Sequence, residues 1–309
     1  MKENISKTEQ VSWTVVFTFE AFFIVLCNFL ALCVFAKRKF LLCRSCYLLI
    51  NLTVADLLVG ISAVFSGYEI ISLERSEIKS FMTCENKLFD ASATLFLLFT
   101  VASLMSLVLI AIERACSIFM PFRHRVAKTR YYNAGIAFIW LISGIPSASL
   151  LPQCESLPIN NKLVTLSLLL ILVIPSFVIL VSSYVAIYIK LRFFPVFQHN
   201  NSTQRQIKLC RTLCIATVTS IIAVLPHNIV LTTLELCTSC TLSVKAVLTT
   251  KAFIFGNSFI NLAIYALKIP EFWNELKKIL CNCFNKGERR QSRVVPGMIP
   301  LDTLDTGHP

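Results

Sequence analysis

Residues 91–112 read ASATLFLLFTVASLMSLVLIAI, contain no charged side chain, and are followed directly by Glu113 and Arg114. A helix needs about 20 apolar residues to cross the hydrocarbon core of a bilayer. A helix on the surface of a soluble protein would instead carry a polar face. The run therefore predicts a transmembrane helix from about Leu88 to Met120, which ends before Pro121.

Six further apolar stretches of similar length occur along the 309-residue chain, of which 56% is hydrophobic. They predict an all-α fold, a seven-transmembrane helix bundle over residues 11–267 that follows an extracellular tail over residues 1–10. The sequence shows no second domain and no internal repeat. The other six predicted helices span residues 11–36, 46–71, 132–151, 163–191, 206–234 and 244–267.

Basic residues are distributed unevenly between the two sides of the predicted bundle. The net charge is +12, yet only eight of the 29 Lys and Arg residues lie on the side that holds the N-terminus. The predicted loop Arg123-His124-Arg125, with Lys128 and Arg130 behind it, is strongly basic. Because cytoplasmic loops are enriched in Lys and Arg, we expect a plasma-membrane protein with its N-terminus outside and no nucleic-acid partner. Asn4 in Asn4-Ile5-Ser6 is then a candidate glycosylation site.

An amphipathic helix is predicted over residues 270–284, after the last membrane span. Its apolar residues fall on one face: Phe272, Leu276, Ile279 and Leu280. Such a helix lies on membrane lipids. Cys281 and Cys283 follow and are candidates for palmitoylation, with unmodified thiols as the alternative. Residues 285–309 are polar and contain Pro and Gly, so we expect a disordered cytoplasmic tail.

Asp56 lies in the middle of the second predicted helix, within Asn51-Leu52-Thr53-Val54-Ala55-Asp56. An ionisable residue at membrane depth is costly and is therefore a candidate functional site. Candidate partners are Ser103 in the third helix and Asn257 and Asn261, which share one face of the seventh. One carboxylate with several neutral oxygens suits a small hard cation such as sodium. A hydrogen-bonded network that joins the helices is the alternative.

Glu113 and Arg114 form a pair of opposite charges at the inner end of the third predicted helix. Arg114 could extend its side chain to water or contact a protein that docks from the cytoplasm. Pro175 and Pro226 lie within the fifth and sixth predicted helices. Proline kinks a helix, so these positions are candidate hinges, with static bends as the alternative.

One polar residue, proline or short motif stands out in each of the seven predicted helices. In chain order they are Asn28, Leu52-Thr53-Val54-Ala55-Asp56, Ile112-Glu113-Arg114-Ala115, Trp140, Pro175, Pro226 and Asn261-Leu262-Ala263-Ile264-Tyr265. Their order, with an amphipathic helix and cysteines behind them, resembles the class A (rhodopsin-like) family of G-protein-coupled receptors. The resemblance covers about residues 11–284.

The resemblance implies a cell-surface receptor that couples an extracellular ligand to a heterotrimeric G protein. The residues it implicates in G-protein coupling and activation are Glu113, Arg114, Tyr184, Asn261 and Tyr265. It also implies an allosteric sodium site. That site would consist of Asp56, Ser103, Asn257 and Asn261.

The chain departs from the family pattern at several positions. Ala115 stands where tyrosine is usual, Leu262 replaces the proline of the seventh helix, and Val224 replaces the tryptophan of the sixth. Near Gln206 there is no acidic residue that could hold Arg114 in an inactive pair. We therefore hypothesise a weakly clamped inactive state with high ligand-free signalling. A silent receptor at good surface expression would contradict this hypothesis.

Four cysteines fall in predicted extracellular loops, where an oxidising environment permits disulfides. The resemblance favours a Cys84–Cys154 pair, although Cys84 lies farther from Arg114 than the family spacing. Cys237 and Cys240 could close a small ring in the third outer loop. Spacing alone leaves the connectivity open.

The resemblance places the ligand in the outer half of the bundle. Phe96 stands at the family's amine-binding aspartate and Phe255 at the retinal-binding lysine of opsins, so an amine ligand and an opsin are both disfavoured. The ligand class stays open between peptide, lipid and small polar molecule. The pocket candidates are Asp90, Phe96, His227, Asn228, Glu235 and Lys251, of which Glu235 and Lys251 could instead pair with each other.

Other classes of protein remain as alternatives. A transporter or channel would need a polar pathway through the bilayer, whereas the polar residues here form one central cluster. A seven-helix scaffold that binds ligand without coupling to a G protein is favoured by the changes at Ala115, Val224 and Leu262. An enzyme is disfavoured, because the sequence shows no metal-ligand cluster, nucleophile–base pair or phosphate-binding glycine loop.

Overall fold

The computed structural model describes residues 6–37, 46–72, 87–150, 161–193, 201–237, 243–268 and 270–291, and within these ranges all regular secondary structure is α-helical. The helices are α1 (Lys7–Phe35), α2 (Cys46–Ser72), α3 (Lys87–Phe119), α4 (Pro121–Val126), α5 (Thr129–Ala148), α6 (Asn161–Phe193), α7 (Asn201–Leu236), α8 (Val244–Lys268) and α9 (Pro270–Gln291).

The long helices form a closed ring with α3 at its centre. α1 packs along α2 and α8, α7 packs against α6 and α8, and α5 packs against α6. α3 contacts α2, α5, α6 and α7. The predicted all-α bundle is therefore confirmed, and α3 can connect events at its two ends.

The long helices differ in how well they are suited to cross a bilayer. By length and composition, five described helices qualify: Lys7–Phe35, Cys46–Ile70, Ala91–Phe119, Val164–Lys190 and Val244–Ala266. α7 contributes a shorter apolar segment, Thr217–Thr233. α5 has 20 residues, and its first turns carry Arg130 and Asn133. The fourth and sixth predicted spans are thus the less apolar ones.

The outer surface of the bundle is apolar and its interior holds polar groups. Phe19, Leu141 and Ile222 are 62%, 73% and 67% exposed, whereas Asp56 and Arg114 are 0% and 2% exposed. A soluble monomer rarely exposes large apolar patches. In a bilayer, lipid covers such a surface and polar groups must find partners inside. The distribution therefore supports a membrane-embedded bundle.

α1 begins at Lys7 rather than at residue 11, because a capping box stabilises its first turn. The Glu9 backbone N–H donates to Ser6 Oγ at 3.2 Å, and the Ser6 backbone N–H donates to the Glu9 carboxylate at 3.1 Å. Glu9 also forms a 2.8 Å salt bridge with Lys245 at the start of α8. Residues 7–10, predicted as tail, are thus helical.

The side of the bundle predicted to face the cytoplasm also contains more helix than the sequence predicted. α4 occupies the predicted basic loop, and Pro121 stands in its first turn, where proline is tolerated. α7 begins at Asn201 rather than at residue 206. α9 continues to Gln291 rather than ending at residue 284, so residues 285–291 are helical instead of disordered. Residues 292–309 lie outside the described part of the chain.

Two hydrophobic clusters fill the two halves of the bundle. The inner cluster includes Phe35, Leu52, Leu107, Tyr265 and Phe272. The outer cluster includes Phe17, Ile24, Val59, Leu248 and Phe255. Along α2, Asp56 stands between inner Leu52 and outer Val59. The buried polar residues that accompany it are Asn28, Ser103, Asn257, Ser258 and Asn261.

Candidate functional site

A cavity of about 280 Å³ lies in the outer half of the bundle. It lies on the side of the bundle opposite to Glu113 and Arg114, and residues of α1, α2, α3, α6, α7 and α8, together with Leu150 after α5, line it. Of the predicted pocket residues, four line the cavity: Phe96, His227, Asn228 and Lys251. The side chains of Asp90 and Glu235 are not among those that the structure describes, so their predicted place in the pocket stays a prediction.

Lys251 and His227 are the basic groups along the described wall of this outer cavity. The Nζ atom of Lys251 lies 4.9 Å from the ring centroid of Phe96 and 5.8 Å from that of Phe255, within range of a cation–π interaction. His227 Nδ1 lies 3.0 Å from the Thr250 hydroxyl. Lys251 thus presents an ammonium to an otherwise largely apolar cavity.

Glu69 and Thr100 also belong to the polar part of the lining. Glu69 is 8% exposed and interacts electrostatically with Lys251. The Thr100 hydroxyl is buried and has no hydrogen-bond partner among the described residues. An unsatisfied buried hydroxyl costs about 1–3 kcal/mol, so a polar atom of a ligand or a water would be stabilised beside it.

Asp56 lies at the centre of the buried polar layer. Its Oδ1 accepts a hydrogen bond from the Ser103 hydroxyl, and its Oδ2 accepts one from the Asn261 amide, both at 2.7 Å. Asn28 donates to the backbone carbonyl of Ser258 at 3.0 Å. These bonds join α1, α2, α3 and α8, so the carboxylate holds the middle of the bundle together.

Asn257 forms a different contact from the one predicted. The Ser220 hydroxyl of α7 donates to Asn257 Oδ1 at 3.0 Å. A cavity of about 10 Å³, close to the size of one water, is lined by both residues together with Ser103 and Ser258. Asn257 therefore faces the same polar layer, but it connects α8 to α7 rather than contacting Asp56 directly.

Few side chains separate the outer cavity from this inner polar cavity. Thr100, Leu104, Val224 and Ile254 line both. Val224 stands where the resemblance expects tryptophan, and valine leaves more space. A ligand in the outer cavity would therefore lie next to the polar layer.

Glu113 and Arg114 form a buried ion pair at the inner end of α3. Glu113 is 8% exposed and Arg114 is 2% exposed. Glu113 Oε1 also lies 2.6 Å from His124 Nε2 on α4, and that nitrogen lies 3.3 Å from the hydroxyl of Tyr132 on α5. Glu113 is thus shared between Arg114 and His124, and the cluster joins α3, α4 and α5.

Two tyrosines predicted to take part in activation are buried near this end of the bundle. The Thr217 hydroxyl donates to the Tyr184 hydroxyl at 3.3 Å, which links α7 to α6. Tyr265 packs between Phe35 and Phe272, with ring centroids 6.0 and 5.9 Å away. Its buried hydroxyl has no hydrogen-bond partner among the described residues, so Tyr265 would gain a bond if it moved to a polar neighbour.

Of the residues predicted to form disulfides or to be palmitoylated or glycosylated, the structure describes the side chains of Cys237 and Cys281. Cys237 is disulfide-bonded, and its partner lies outside the residues whose side chains are described. Cys281 is an exposed free thiol on α9. The remaining positions lie outside the described residues or side chains: Asn4, Cys84, Cys154, Cys240 and Cys283.

Sequence reasoning missed three ionisable residues. Glu69 and Glu20 lie within the second and first predicted spans, and the rule that identified Asp56 would have selected them as well. His124 was counted as part of a basic loop, and its contact with Glu113 depends on the fold of α4. Among the described residues, no group of three or more His, Cys, Asp or Glu side chains could hold a metal ion.

Comparison with known proteins agrees with this geometry. The family model "7 transmembrane receptor (rhodopsin family)" matches residues 27–265. Human lysophosphatidic acid receptor 3 is 28% identical over 314 aligned residues, which cover 94% of this chain and 84% of that receptor. The crystal structure of squid rhodopsin superposes with a TM-score of 0.73 at 14% identity, over 97% of this chain and 94% of that chain.

The chain therefore belongs to the rhodopsin family of seven-transmembrane receptors. By family it is a cell-surface G-protein-coupled receptor, a multi-pass membrane protein.

Proposed function

We propose that a ligand bound in the outer cavity activates a heterotrimeric G protein that docks beside Arg114. In this arrangement the N-terminus is extracellular, and the end of α3 that holds Glu113 and Arg114 faces the cytoplasm. The observation that carries the proposal is the buried Glu113–Arg114 pair at the end of α3 opposite the cavity. α3 lines the cavity with Phe96 and Thr100 and reaches the pair without interruption.

The polar contacts near the inner end provide candidates for the conformational change. The Thr217–Tyr184 hydrogen bond, at 3.3 Å, would break if α7 moved away from α6. The Tyr265 hydroxyl lacks a described partner and would gain one by turning toward Arg114 or Tyr184. An outward movement of α7, hinged near Pro226, would expose Arg114 to the G protein.

A sodium ion bound beside Asp56 would act as an allosteric ligand. The donor set supports this, because the oxygens of Ser103, Asn257 and Ser220 line a cavity close to the size of a water, and the Ser103 hydroxyl also donates to the Asp56 carboxylate. Hard cations prefer such oxygen ligands. Sodium would favour the state in which α2, α3, α7 and α8 stay close together, which is the inactive state.

A panel of G-protein subtype sensors in cells tests the proposed coupling. The intact chain, Arg114→Ala and the control Arg192→Ala, which changes an exposed arginine in the last turn of α6, are compared at equal surface expression. The ligand library includes lysophosphatidic acid, because the human relative is a receptor for that lipid by name.

Signal from the intact chain and from Arg192→Ala, but not from Arg114→Ala, would support the proposal and identify the G-protein subtype. Signal that survives Arg114→Ala would reject the role of Arg114. Silence of all three proteins across every subtype and ligand would favour a receptor-like scaffold that does not couple.

A further inference from the structure

Lys251 is the only Lys or Arg among the described residues that line the outer cavity. We propose that this cavity binds an apolar molecule with a single carboxylate, such as a medium-chain fatty acid, whose carboxylate contacts the Lys251 ammonium. The inference rests on the proposed function, in which the outer cavity is the ligand site.

The surroundings of the ammonium leave room for an anion. Within the described part of the chain, the contacts of Nζ are with the rings of Phe96 and Phe255, at 4.9 and 5.8 Å. Glu69 attracts the ammonium electrostatically. An ammonium carries three N–H donors. The aromatic rings attract its charge but are not conventional hydrogen-bond acceptors for these donors. A carboxylate oxygen would satisfy N–H donors for which the described residues provide no hydrogen-bond acceptor.

The rest of the cavity suits a hydrocarbon body. Its wall includes Leu97, Leu104, Leu166, Leu169 and Val173. Its volume of about 280 Å³ lies just below the usual range for ligand cavities, about 300–1,000 Å³. The size therefore favours a short or medium chain over a long acyl chain that also carries a bulky head group.

The charges of the cavity favour a monoanion over a phosphate. The described lining contains one ammonium, Lys251, and already one carboxylate, Glu69, so a ligand anion meets a single cationic Lys or Arg partner there. A doubly charged phosphate would bring two further negative charges into an apolar site, where uncompensated charge is costly. A carboxylate brings only one negative charge. The ligand class inferred here therefore differs from the phosphate-bearing lipid in the name of the human relative.

Binding of radiolabelled dodecanoate to the purified full-length receptor in lipid nanodiscs tests this inference. The competitors are unlabelled dodecanoate, methyl dodecanoate, dodecyl phosphate and dodecylamine. The variants are Lys251→Met, Lys251→Arg, Glu69→Gln and the matched control Lys245→Met. Lys245 lies on the same helix, outside the cavity, and pairs with Glu9.

We expect the acid to compete best, the phosphate less well, and the ester and the amine not at all. Lys251→Met should weaken binding roughly 10- to 100-fold, which is the loss of one charge-assisted hydrogen bond. Lys251→Arg and Lys245→Met should bind nearly as well as the intact chain. Glu69→Gln should bind more tightly, because a repelling charge is removed.

Equal competition by the ester, stronger competition by the phosphate or the amine, or unchanged binding to Lys251→Met would overturn the inference. If Lys251→Met does not fold, the comparison of acid with ester on the intact chain decides. Dodecanoate binding that needs Lys251, in a receptor that activates no G protein, would reject the proposed coupling and keep the inference. Arg114-dependent coupling without dodecanoate binding would reject the inference alone.

Discussion

The imidazole of His124 and the carboxylate of Glu113 lie 2.6 Å apart, from Nε2 to Oε1, and join α4 to the inner end of α3. The same carboxylate pairs with Arg114. His124 therefore fixes the orientation of the acid that holds Arg114. Because no acidic residue lies near Gln206 to pair with Arg114, we expect this contact to help hold the inactive state.

Replacing His124 should raise ligand-free signalling. Without the imidazole, the Glu113 carboxylate can turn away, and Arg114 is held less firmly. Loss of one such hydrogen bond, about 1 kcal/mol, shifts a two-state equilibrium about fivefold. Basal G-protein activation of His124→Ala measures the effect, with Arg123→Ala on the exposed side of α4 as the control. Unchanged or lower basal activity of His124→Ala at equal expression would contradict the clamp.

Asp56→Asn should abolish a sodium effect on stability. A ligand that binds the folded state alone raises its stability, so the intact receptor should unfold at a higher temperature in sodium chloride than in choline chloride. The variant keeps the size of the side chain but loses its charge. Thermal unfolding in the two salts measures this, and Glu20→Gln, another carboxyl in a membrane span, should keep the difference. The sodium site is wrong if the intact chain unfolds equally in both salts.

Gly60→Ala should destabilise the receptor, whereas Gly144→Ala should not. A Cβ atom on Gly60 would lie 2.7 Å from Ile24 Cγ2 and 3.0 Å from Ile24 Cβ, so α1 and α2 would have to separate. Overpacking of this kind costs about 1–3 kcal/mol. A Cβ atom on Gly144 would meet nothing within 4 Å, and alanine favours a helix by about 0.5–1 kcal/mol over glycine. Thermal unfolding of the two variants should therefore move in opposite directions, and equal shifts would show that the α1–α2 contact is looser than described.

Phe272→Ala should detach α9 from the bundle. Phe272 is 0% exposed and packs against Phe35 and Tyr265, whereas its neighbour Trp273 is 40% exposed. Removing a buried phenyl ring costs about 3–5 kcal/mol. Amide hydrogen exchange over residues 270–291 should become faster in Phe272→Ala and stay nearly unchanged in Trp273→Ala. Equal protection in both variants would mean that α9 is held by something other than this ring.

The fold could be predicted from the sequence because its determinants are local. Residues 91–112 and the other apolar stretches are long enough to span a bilayer, and no partner needs to be known to recognise them. Hydropathy does not determine the helix boundaries in the same way. α1 begins with a capping box at Ser6, and α4 forms where the charge pattern indicated a loop. Both depend on the path of the backbone rather than on hydropathy.

The polar layer was predictable in its members but not in all its contacts. Asp56 could be predicted because an ionisable residue in the middle of a membrane span is costly. Asn257 and Asn261 could be predicted because they are four residues apart and share one face of α8. Spacing does not reveal which neighbour each side chain contacts: Asn261 donates to Asp56, whereas Asn257 accepts from Ser220. The His124–Glu113 contact likewise required a helix turned back toward α3, which no periodicity in the sequence indicates.

Nucleotide exchange by purified components tests the central claim most directly. The receptor in lipid nanodiscs is mixed with purified heterotrimeric G proteins, and the rate of GTP uptake is compared with that of the G protein alone. We predict faster exchange with the intact chain and with Arg192→Ala, and a return to the receptor-free rate with Arg114→Ala. Exchange that the intact chain does not accelerate for any G protein, or that Arg114→Ala accelerates equally, would contradict a receptor that couples through Arg114.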